Sequence, residues 1–297
     1  MKYLILFLFI FSVSPALSEN VTHTVTWESG VNKKVVKEWS ISLNKTSDVS
    51  STTYIMKKSG GKDKLHRTGH RDVIIWIPKT TDFQKDFTVV IWFHGHWGYV
   101  PKRTFENRTL KQFVPLAKSK NFVLVIPEMP WSIHTPTPTK RNSMLWLKKG
   151  DFLDFVNQAE NTIFRHAEKV SPDVEEARRR FSKIDYRIVG HSAGGSTIRR
   201  LGITGDLCRL APSMVVWSDS SYGTWLKDSW HGCLKEHPNI LVKVFVQKWL
   251  SPYNNANKFL ANLEVKPPNL ELHVKSKGWS HKLIGDNIVN LSNLLGE

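Results

Sequence analysis

The sequence predicts an α/β protein built on one mostly parallel sheet, and two patterns support this prediction. The first is a series of runs that are apolar at nearly every position and rich in β-branched and aromatic residues. Such runs are typical of strands that are buried on both faces. The second is the helix-like stretch that separates most of these runs, since strands alternating with helices form right-handed crossovers. About eight strands in one sheet, with helices on both faces, is the simplest arrangement that fits.

The expected elements follow one another along the chain. Residues in the N-terminal part alternate between apolar and polar in the manner of strands, at 22–27, 35–43 and 52–56. Buried strands are expected at 72–77, 88–93, 122–126, 185–189, 214–217, 241–246 and 270–274. Helices are expected at 105–118, 152–170, 174–181, 192–201, 254–263 and 281–295. Ligands of such sheets bind at the carboxyl ends of the strands, so the residues that follow each strand are the candidates for chemistry.

The first eighteen residues differ from the rest of the chain. Lys2 is followed by an apolar run at 3–11 and then by the small-residue pattern Ala16-Leu17-Ser18, which is typical of a cleaved secretory signal peptide. The run is far shorter than the roughly 20 residues that span a bilayer. We therefore expect residues 1–18 to be removed and residues 19–297 to form a single secreted or periplasmic domain with no stable membrane span.

The chain is strongly basic, with a formal net charge of +16. Such an excess favours anionic surroundings, such as acidic polymers, acidic lipid surfaces or nucleic acid. The lysines and arginines are spread along the chain, however, and none of their clusters belongs to a recognisable nucleic-acid-binding module. A generally basic surface is therefore expected, without a nucleic-acid partner.

The chain has two cysteines, Cys208 and Cys233. Export permits them to form a disulfide, and we expect them to be paired. A bridge across about 25 residues would stabilise the fold by roughly 3 kcal/mol. Two separate buried thiols are the alternative.

The most specific motif follows the strand expected at 185–189. The next residues, Gly190-His191-Ser192-Ala193-Gly194, form a Gly-x-Ser-x-Gly pattern between a strand and a helix. This setting suits a nucleophile, because a sharp turn lifts the serine hydroxyl off the sheet edge and only glycines let the neighbouring chains approach closely. A chance match in a glycine-rich turn is the alternative, and the strand-to-helix context argues against it. Ser192 is the candidate nucleophile.

With this motif the sequence resembles the α/β-hydrolase superfamily over nearly the whole chain after the signal. The resemblance rests on the Ser192 motif, on a His-Gly turn after an earlier strand, and on the order serine, acid, histidine along the chain. It implies an α/β-hydrolase fold and a serine hydrolase that needs no cofactor. No named family within the superfamily is indicated, and no segment is long enough for a large lid domain.

The strand expected at 88–93 ends in His94-Gly95-His96-Trp97-Gly98. In the superfamily that the chain resembles, a His-Gly turn at this place supplies an amide of the oxyanion hole. The resemblance therefore implies His96 N–H and Ala193 N–H as the two donors, each typically worth about 3 kcal/mol in the transition state. A tight turn with two solvated histidines is the alternative. No metal is expected, because no acidic or cysteine cluster completes a site.

The base is expected after the last strand. A short loop leads from that strand to His281, which opens the last helix, and this is where the superfamily places its catalytic histidine. The other late histidines fit less well, since His273 lies inside a strand and His231 and His237 lie in a loop with no preceding strand. An ordinary capping role at the helix is the alternative for His281.

The acid departs from the usual pattern of the superfamily. No carboxylate follows the strand expected at 241–246 before Glu264, so the commonest acid position is empty. One strand earlier, Asp219 falls just past the strand end, where some members of the superfamily carry the acid. It would accept the imidazole N–H and stabilise the imidazolium. Glu128 and Asp286 are the alternative acids, and a turn or cap role is the alternative for Asp219.

Several of the twelve tryptophans fall near strand ends. We expect Trp97, Trp131 and Trp279, together with Tyr222, to line the substrate site, since aromatic walls stack on sugar faces or hold acyl and aryl groups. An open cleft beneath a basic surface would suit an acidic or polymeric ester. The sequence thus predicts a secreted serine esterase that acts through an acyl-enzyme. A serine peptidase or amidase on the same triad is one alternative, and a non-catalytic binding protein on a hydrolase scaffold is another.

Overall fold

The computed structural model describes residues 24–29, 32–39, 51–57, 73–96, 109–127, 129, 146, 148–276 and 278–296. The expected signal peptide, residues 1–18, lies outside this part of the chain. The described strands form a single ten-stranded sheet in the order β1-β2-β3-β4-β6-β5-β7-β8-β9-β10. They are β1 (Thr24–Ser29), β2 (Asn32–Trp39), β3 (Ser51–Lys57), β4 (Val73–Pro78), β5 (Thr88–Phe93), β6 (Phe122–Pro127), β7 (Asp185–His191), β8 (Met214–Ser218), β9 (Leu241–Gln247) and β10 (Leu270–Lys275).

The sheet has an antiparallel part and a parallel part. Strands β1 to β4 are antiparallel to their neighbours, and β4 is also antiparallel to β6. From β6 onward every pairing is parallel. This confirms the predicted α/β class, with two strands more than the eight expected. The parallel strands end at a common edge of the sheet, which is where such folds bind their ligands.

Helices cover both faces of the sheet. The described helices are α1 (Leu110–Phe113), α2 (Asp151–Val170), α3 (Val174–Phe181), α4 (Gly194–Thr204), α5 (Asp206–Leu210), α6 (Trp225–Gly232), α7 (Ser251–Ala261) and α8 (His281–Leu291). Residues of α2, α3, α4, α6 and α7 pack on one face in the larger apolar core. Residues of α1 and α8 pack on the opposite face in a second core. None of the described helices is both long and apolar enough to cross a membrane.

The helix expected at 105–118 ends earlier in the structure. Helix α1 ends at Phe113, and a 3₁₀ turn follows at Val114–Leu116. Pro115 explains the change, because proline has no N–H to donate and its ring clashes with the preceding turn of an α-helix.

A disulfide joins Cys208 of α5 to Cys233, the residue that follows α6, with their Cα atoms 6.0 Å apart. Helices α4 and α6 pack closely beside it. A Cβ on Gly202 would lie 2.5 Å from Ser229 Oγ, so glycine is needed at this crossing. The bridge therefore fastens the helical layer that packs behind α4.

Candidate active site

Ser192 lies in the sharp turn between β7 and α4, at the carboxyl edge of the parallel strands. Its φ of 53° places it in the left-handed region. A residue with a side chain is uncommon there, and such strain clusters at functional sites. The Ser192 N–H donates to the Ser218 carbonyl oxygen at 3.1 Å, which fastens the turn to the end of β8. The local backbone thus presents the Ser192 side chain at the sheet edge, as the motif predicts.

Close packing explains the glycines around this turn. A Cβ on Gly194 would lie 2.2 Å from the Phe93 carbonyl oxygen, at the end of β5. A Cβ on Gly95 would lie 2.8 Å from Ser192 Cβ. The turn after β5 therefore lies directly against the serine. This is the turn for which an oxyanion hole is predicted from the sequence. A serine on a strand-to-helix turn, beside a loop of this kind, is characteristic of the α/β-hydrolase fold. The chain has the α/β-hydrolase fold.

The two candidate oxyanion donors lie on these two turns. Ala193 is buried and directly precedes α4, so its amide is at the helix N-terminus, where partial positive charge favours an anion. His96 lies at the exposed end of the turn that contains Gly95. Two amides on turns that meet at Ser192 are the elements that an oxyanion hole requires.

His94 is a buried structural residue rather than the solvated histidine of the alternative reading. Its Nδ1 lies 2.7 Å from the Gly95 carbonyl oxygen, and Nε2 accepts the Met129 N–H at 2.9 Å. Because Nε2 accepts, Nδ1 carries the proton and donates it to Gly95. Burial lowers the pKa of His94 to about 4. The neutral ring therefore ties the turn after β5 to the chain that follows β6.

Asp219 follows β8 and is completely buried. Its Oδ2 lies 2.6 Å from His281 Nδ1, and its Oδ1 accepts the Gln247 N–H at 3.2 Å. An imidazole that donates from Nδ1 to a carboxylate has Nε2 free of its proton and able to accept one. The structure thus brings together the acid and the base that the sequence proposes. Asp219 is also in the left-handed region, with a φ of 46°.

Of the two alternative acids, the one that the structure describes does not take this position. Asp286 lies one turn further along α8, where it forms an ion pair with Lys282. Glu128 lies outside the described residues. His281 lies at the first position of α8, and its side chain is 36% exposed. A partly exposed imidazole held by a buried carboxylate can meet a substrate while its orientation stays fixed.

His281 stacks on the ring of His191, the residue before Ser192. The ring centroids are 4.7 Å apart and the ring planes are 27° from parallel. In the described part of the chain, His281 makes its hydrogen bond to Asp219 and none to Ser192. The stacking nevertheless places the imidazole beside the residue that adjoins the serine.

His191 is itself held in place from two sides. Its Nδ1 lies 3.1 Å from the Ser218 carbonyl oxygen and 3.2 Å from Ser218 Oγ. A Cβ on Gly285 of α8 would lie 2.5 Å from the His191 ring. This contribution of His191 was not predicted from the sequence. Its signals were the histidine inside the Gly-x-Ser-x-Gly motif and a glycine in the interior of the last helix, where glycine is otherwise unfavourable.

Tyr222 reaches the serine. Burial raises the pKa of its phenol, the nearby Asp219 carboxylate raises that pKa further, and a hydrogen bond with the Ser192 side chain opposes both. The phenol is therefore neutral at physiological pH and contacts the candidate nucleophile. Its ring packs edge-on against Trp225, with centroids 5.5 Å apart. Tyr222 is expected from the sequence to contact substrate. The structure adds its contact with Ser192.

The other aromatic residues expected at the site are only partly described. Trp279 is half-buried and lies two residues before His281, with Lys275 Nζ 5.2 Å from its ring centroid. Trp97 and Trp131 lie outside the described residues. Among the residues that the structure describes, no group of three or more histidine, cysteine or acidic side chains could hold a metal ion.

No protein-family model and no curated protein matches this sequence. Among solved structures, it is similar to a feruloyl esterase module from Clostridium thermocellum, with a TM-score of 0.46 and 15% identity, covering 79% of this chain and 86% of that one. It is also similar to an S-formylglutathione hydrolase from Staphylococcus aureus, with a TM-score of 0.45 and 13% identity, covering 84% and 97%. A lidless α/β serine hydrolase from Xanthomonas campestris gives a TM-score of 0.39 and 11% identity, covering 95% and 94%. All three TM-scores lie below 0.5.

Proposed function

We propose that this chain is a serine hydrolase of the esterase type, in which Ser192, His281 and Asp219 form a catalytic triad. The observation that carries the proposal is the buried Asp219 carboxylate, which lies 2.6 Å from the imidazole beside the strained serine turn. A carboxylate in this relation fixes the tautomer of the imidazole and stabilises the cation that forms when the imidazole takes a proton.

The reaction proceeds through an acyl-enzyme. Ser192 Oγ attacks the ester carbonyl carbon while His281 Nε2 takes the hydroxyl proton. The imidazolium then gives this proton to the leaving alcohol, and Ser192 keeps the acyl group. A water molecule attacks the acyl-enzyme with the same base, which releases the acid and restores the hydroxyl.

Ser192 has to approach His281 for this step. A proton transfers over a donor–acceptor distance of roughly 2.6–3.2 Å, and such hydrogen bonds often tighten only when substrate is bound. Tyr222 lies close to the Ser192 side chain, since a hydrogen bond between them works against the rise in the pKa of the phenol. A rotation of the Ser192 hydroxyl towards the imidazole would accompany substrate binding.

The oxyanion is assigned to the amides of Ala193 and His96. The helix start at Ala193 supports the first of these, and the close approach of Gly95 to Ser192 supports the second. Removing one such donor from a serine hydrolase typically costs about 3 kcal/mol in the transition state.

We also propose that the protein is exported. Two features support this proposal: the signal-like pattern at residues 1–18 and the disulfide between Cys208 and Cys233. Disulfides persist in oxidising compartments and are rare in the cytosol.

A fluorophosphonate probe tests the nucleophile. The wild-type protein should be labelled and should hydrolyse p-nitrophenyl butyrate, whereas Ser192→Ala should do neither. Ser182→Ala, at an exposed serine after α3, is the matched control and should behave as wild type. A peptide p-nitroanilide, assayed alongside, separates esterase from amidase activity. Equal labelling of the wild type and Ser192→Ala would refute the assignment.

A further inference from the structure

Three neighbouring parallel strands lead into a non-glycine residue in the left-handed region. These residues are Ser192 after β7, Asp219 after β8 and Trp249 after β9, with φ values of 53°, 46° and 73°. Each such conformation costs roughly 1–3 kcal/mol and persists where the surrounding structure enforces it, most often at functional sites. The first two residues belong to the proposed triad, and the third has no role in it.

Trp249 is also unusually exposed. The residue is 76% exposed, the highest value among the described large apolar residues at the carboxyl edge of the parallel strands. Leu250, the next residue, is 39% exposed. Leaving an indole in water forfeits the free energy of burying it, so its position on a strained turn at this edge points to a binding role.

A lysine lies over each tryptophan at this part of the edge. Lys248 Nζ is 4.7 Å from the ring centroid of Trp249, and Lys275 Nζ is 5.2 Å from that of Trp279. The Lys248 N–H donates to the Lys275 carbonyl oxygen at 3.0 Å, which joins the two segments. The ends of β9 and β10 thus carry two adjoining lysine–tryptophan pairs, each in the geometry of a cation–π contact.

The pairs adjoin the proposed acid and base. Gln247, directly before Lys248, donates its N–H to Asp219 Oδ1, and Trp279 lies two residues before His281. In the described part of the chain, neither Lys248 nor Lys275 forms an ion pair with a carboxylate, whereas Lys282 on α8 pairs with Asp286. Two lysines that no described carboxylate pairs with therefore flank the proposed acid and base, in a chain whose formal net charge is +16.

We propose that the two lysine–tryptophan pairs bind a negatively charged group of the substrate, while the adjoining apolar part of that substrate lies on Trp249. The site selects anionic esters over neutral ones. This inference rests on the proposed function and names the substrate class for the same active site. Lysine suits the role, because its ammonium is a point charge on a flexible stem that reaches a carboxylate without a fixed geometry.

The kinetic test compares two esters with the same leaving group. Mono-p-nitrophenyl glutarate extends the acyl chain of p-nitrophenyl butyrate by a terminal carboxylate. Lys248→Gln and Lys275→Gln should each lower the ratio of kcat/KM for the glutarate to that for the butyrate by about threefold to fivefold, which is the size of a partly exposed charge pair. The double variant should lower this ratio by about tenfold. High salt should diminish the wild-type preference.

Two control variants separate local charge from general charge. Lys258→Gln removes the same charge from the exposed side of α7 and should leave the ratio unchanged. Lys275→Arg keeps the charge and should restore most of the ratio. If the neutral and anionic esters respond equally to Lys248→Gln and Lys275→Gln, or if Lys258→Gln has the same effect as either, the proposal is overturned.

A binding measurement makes the test independent of turnover. The glutarate monoester, titrated into Ser192→Ala, should shift the indole N–H signals of Trp249 and Trp279 in NMR spectra, and Lys248→Gln should weaken this binding. If these shifts occur and no ester is hydrolysed, the anion site stands and the proposed function fails. If the butyrate is hydrolysed and the indole signals do not move, the anion site fails and the proposed function stands. Loss of binding to anionic vesicles in the lysine variants, with an unchanged ester ratio, would assign the surface to a membrane instead.

Discussion

Replacing Asp219 by asparagine tests whether its hydrogen bond to His281 serves catalysis, as the proposed triad requires, or only supports the structure. The two side chains have nearly the same shape, so the exchange tests charge and hydrogen bonding alone. In the wild type, Oδ2 accepts the His281 Nδ1–H and Oδ1 accepts the Gln247 N–H. Asparagine has only one acceptor oxygen, and its other terminal atom is a donor. It cannot replace both hydrogen bonds.

Both orientations of the asparagine amide harm the site. With its NH₂ towards His281, the imidazole must carry its proton on Nε2, and it then has no free position to accept the Ser192 proton. With its oxygen towards His281, the NH₂ faces the Gln247 N–H, and two donors meet in a buried site. The imidazolium also loses its counter-charge in either orientation. In a well-studied serine protease the corresponding exchange lowers kcat about 10⁴-fold, or roughly 5.5 kcal/mol.

We therefore expect Asp219→Asn to lower kcat for p-nitrophenyl butyrate by about 10³- to 10⁴-fold. The free energy of unfolding should fall by no more than about 1–3 kcal/mol, the size of one unsatisfied buried donor; urea unfolding measures this change. Asp286→Asn is the matched control on α8 and should keep most of the activity, because its carboxylate pairs with Lys282. The assignment fails if Asp219→Asn stays within about tenfold of wild type while Asp286→Asn or Glu128→Gln abolishes turnover.

Three further results are expected. Gly285→Ala places a Cβ 2.5 Å from the His191 ring, so it should disturb the stack with His281 and lower kcat about 10- to 100-fold with little change in KM; an unchanged kcat would contradict this role. Replacing Cys208 and Cys233 by alanine should lower the free energy of unfolding by about 3 kcal/mol in urea titrations, and no loss would contradict it. The His94 pKa is about 4 in the folded state, against 6.5 for the free side chain. The unfolded chain therefore binds the proton first, and stability should fall by up to about 3 kcal/mol as the pH drops from about 6.5 to 4; an NMR titration of His94 above pH 5 would refute this.

Local patterns were enough to predict that Ser192 and Asp219 lie at the carboxyl edge of the parallel strands. The strain at Ser192 is produced by its own neighbours, a buried strand before it and a glycine-rich helix start after it, and both are visible in the sequence. Asp219 was found by its position directly after β8. In parallel strands the carboxyl ends share one edge, so position along the chain translates into position in space. The pairing of Asp219 with His281 was the preferred prediction, but the sequence left Glu128 and Asp286 open as alternative acids, and the contact itself is seen in the structure.

The contacts that tertiary packing creates were not predictable in the same way. The stack of His191 on His281 depends on how closely α8 approaches β7, and that approach is set by Gly285. No periodic pattern in the sequence predicts a contact between residues 191 and 285. The contact of Tyr222 with Ser192 depends on the path of the turn after β8. The sequence suggested Tyr222 only as an aromatic residue near a strand end.

A chain of hydrogen bonds across the sheet edge explains how the strained residues keep their positions. The Ser192 N–H donates to Ser218 at the end of β8, and the Asp219 N–H donates to Phe245 of β9 at 2.7 Å. The Lys248 N–H in turn donates to Lys275 at the end of β10. These hydrogen bonds connect the ends of β7, β8, β9 and β10, each to the next. Each of the four strands leads into a segment that carries a residue of the proposed triad or of the proposed anion site.

This arrangement has a consequence for catalysis. The polar groups of a site stabilise a transition state most when they need no rearrangement as charge develops. Here the backbone of the proposed nucleophile, Ser192, is hydrogen-bonded to the strand that precedes the proposed acid, Asp219. The Asp219 carboxylate in turn accepts the Gln247 N–H from the strand that leads to Trp249. Most of the reorganisation is thus completed when the sheet folds. The movement that the proposed mechanism still requires is local, since only the Ser192 hydroxyl has to turn towards His281.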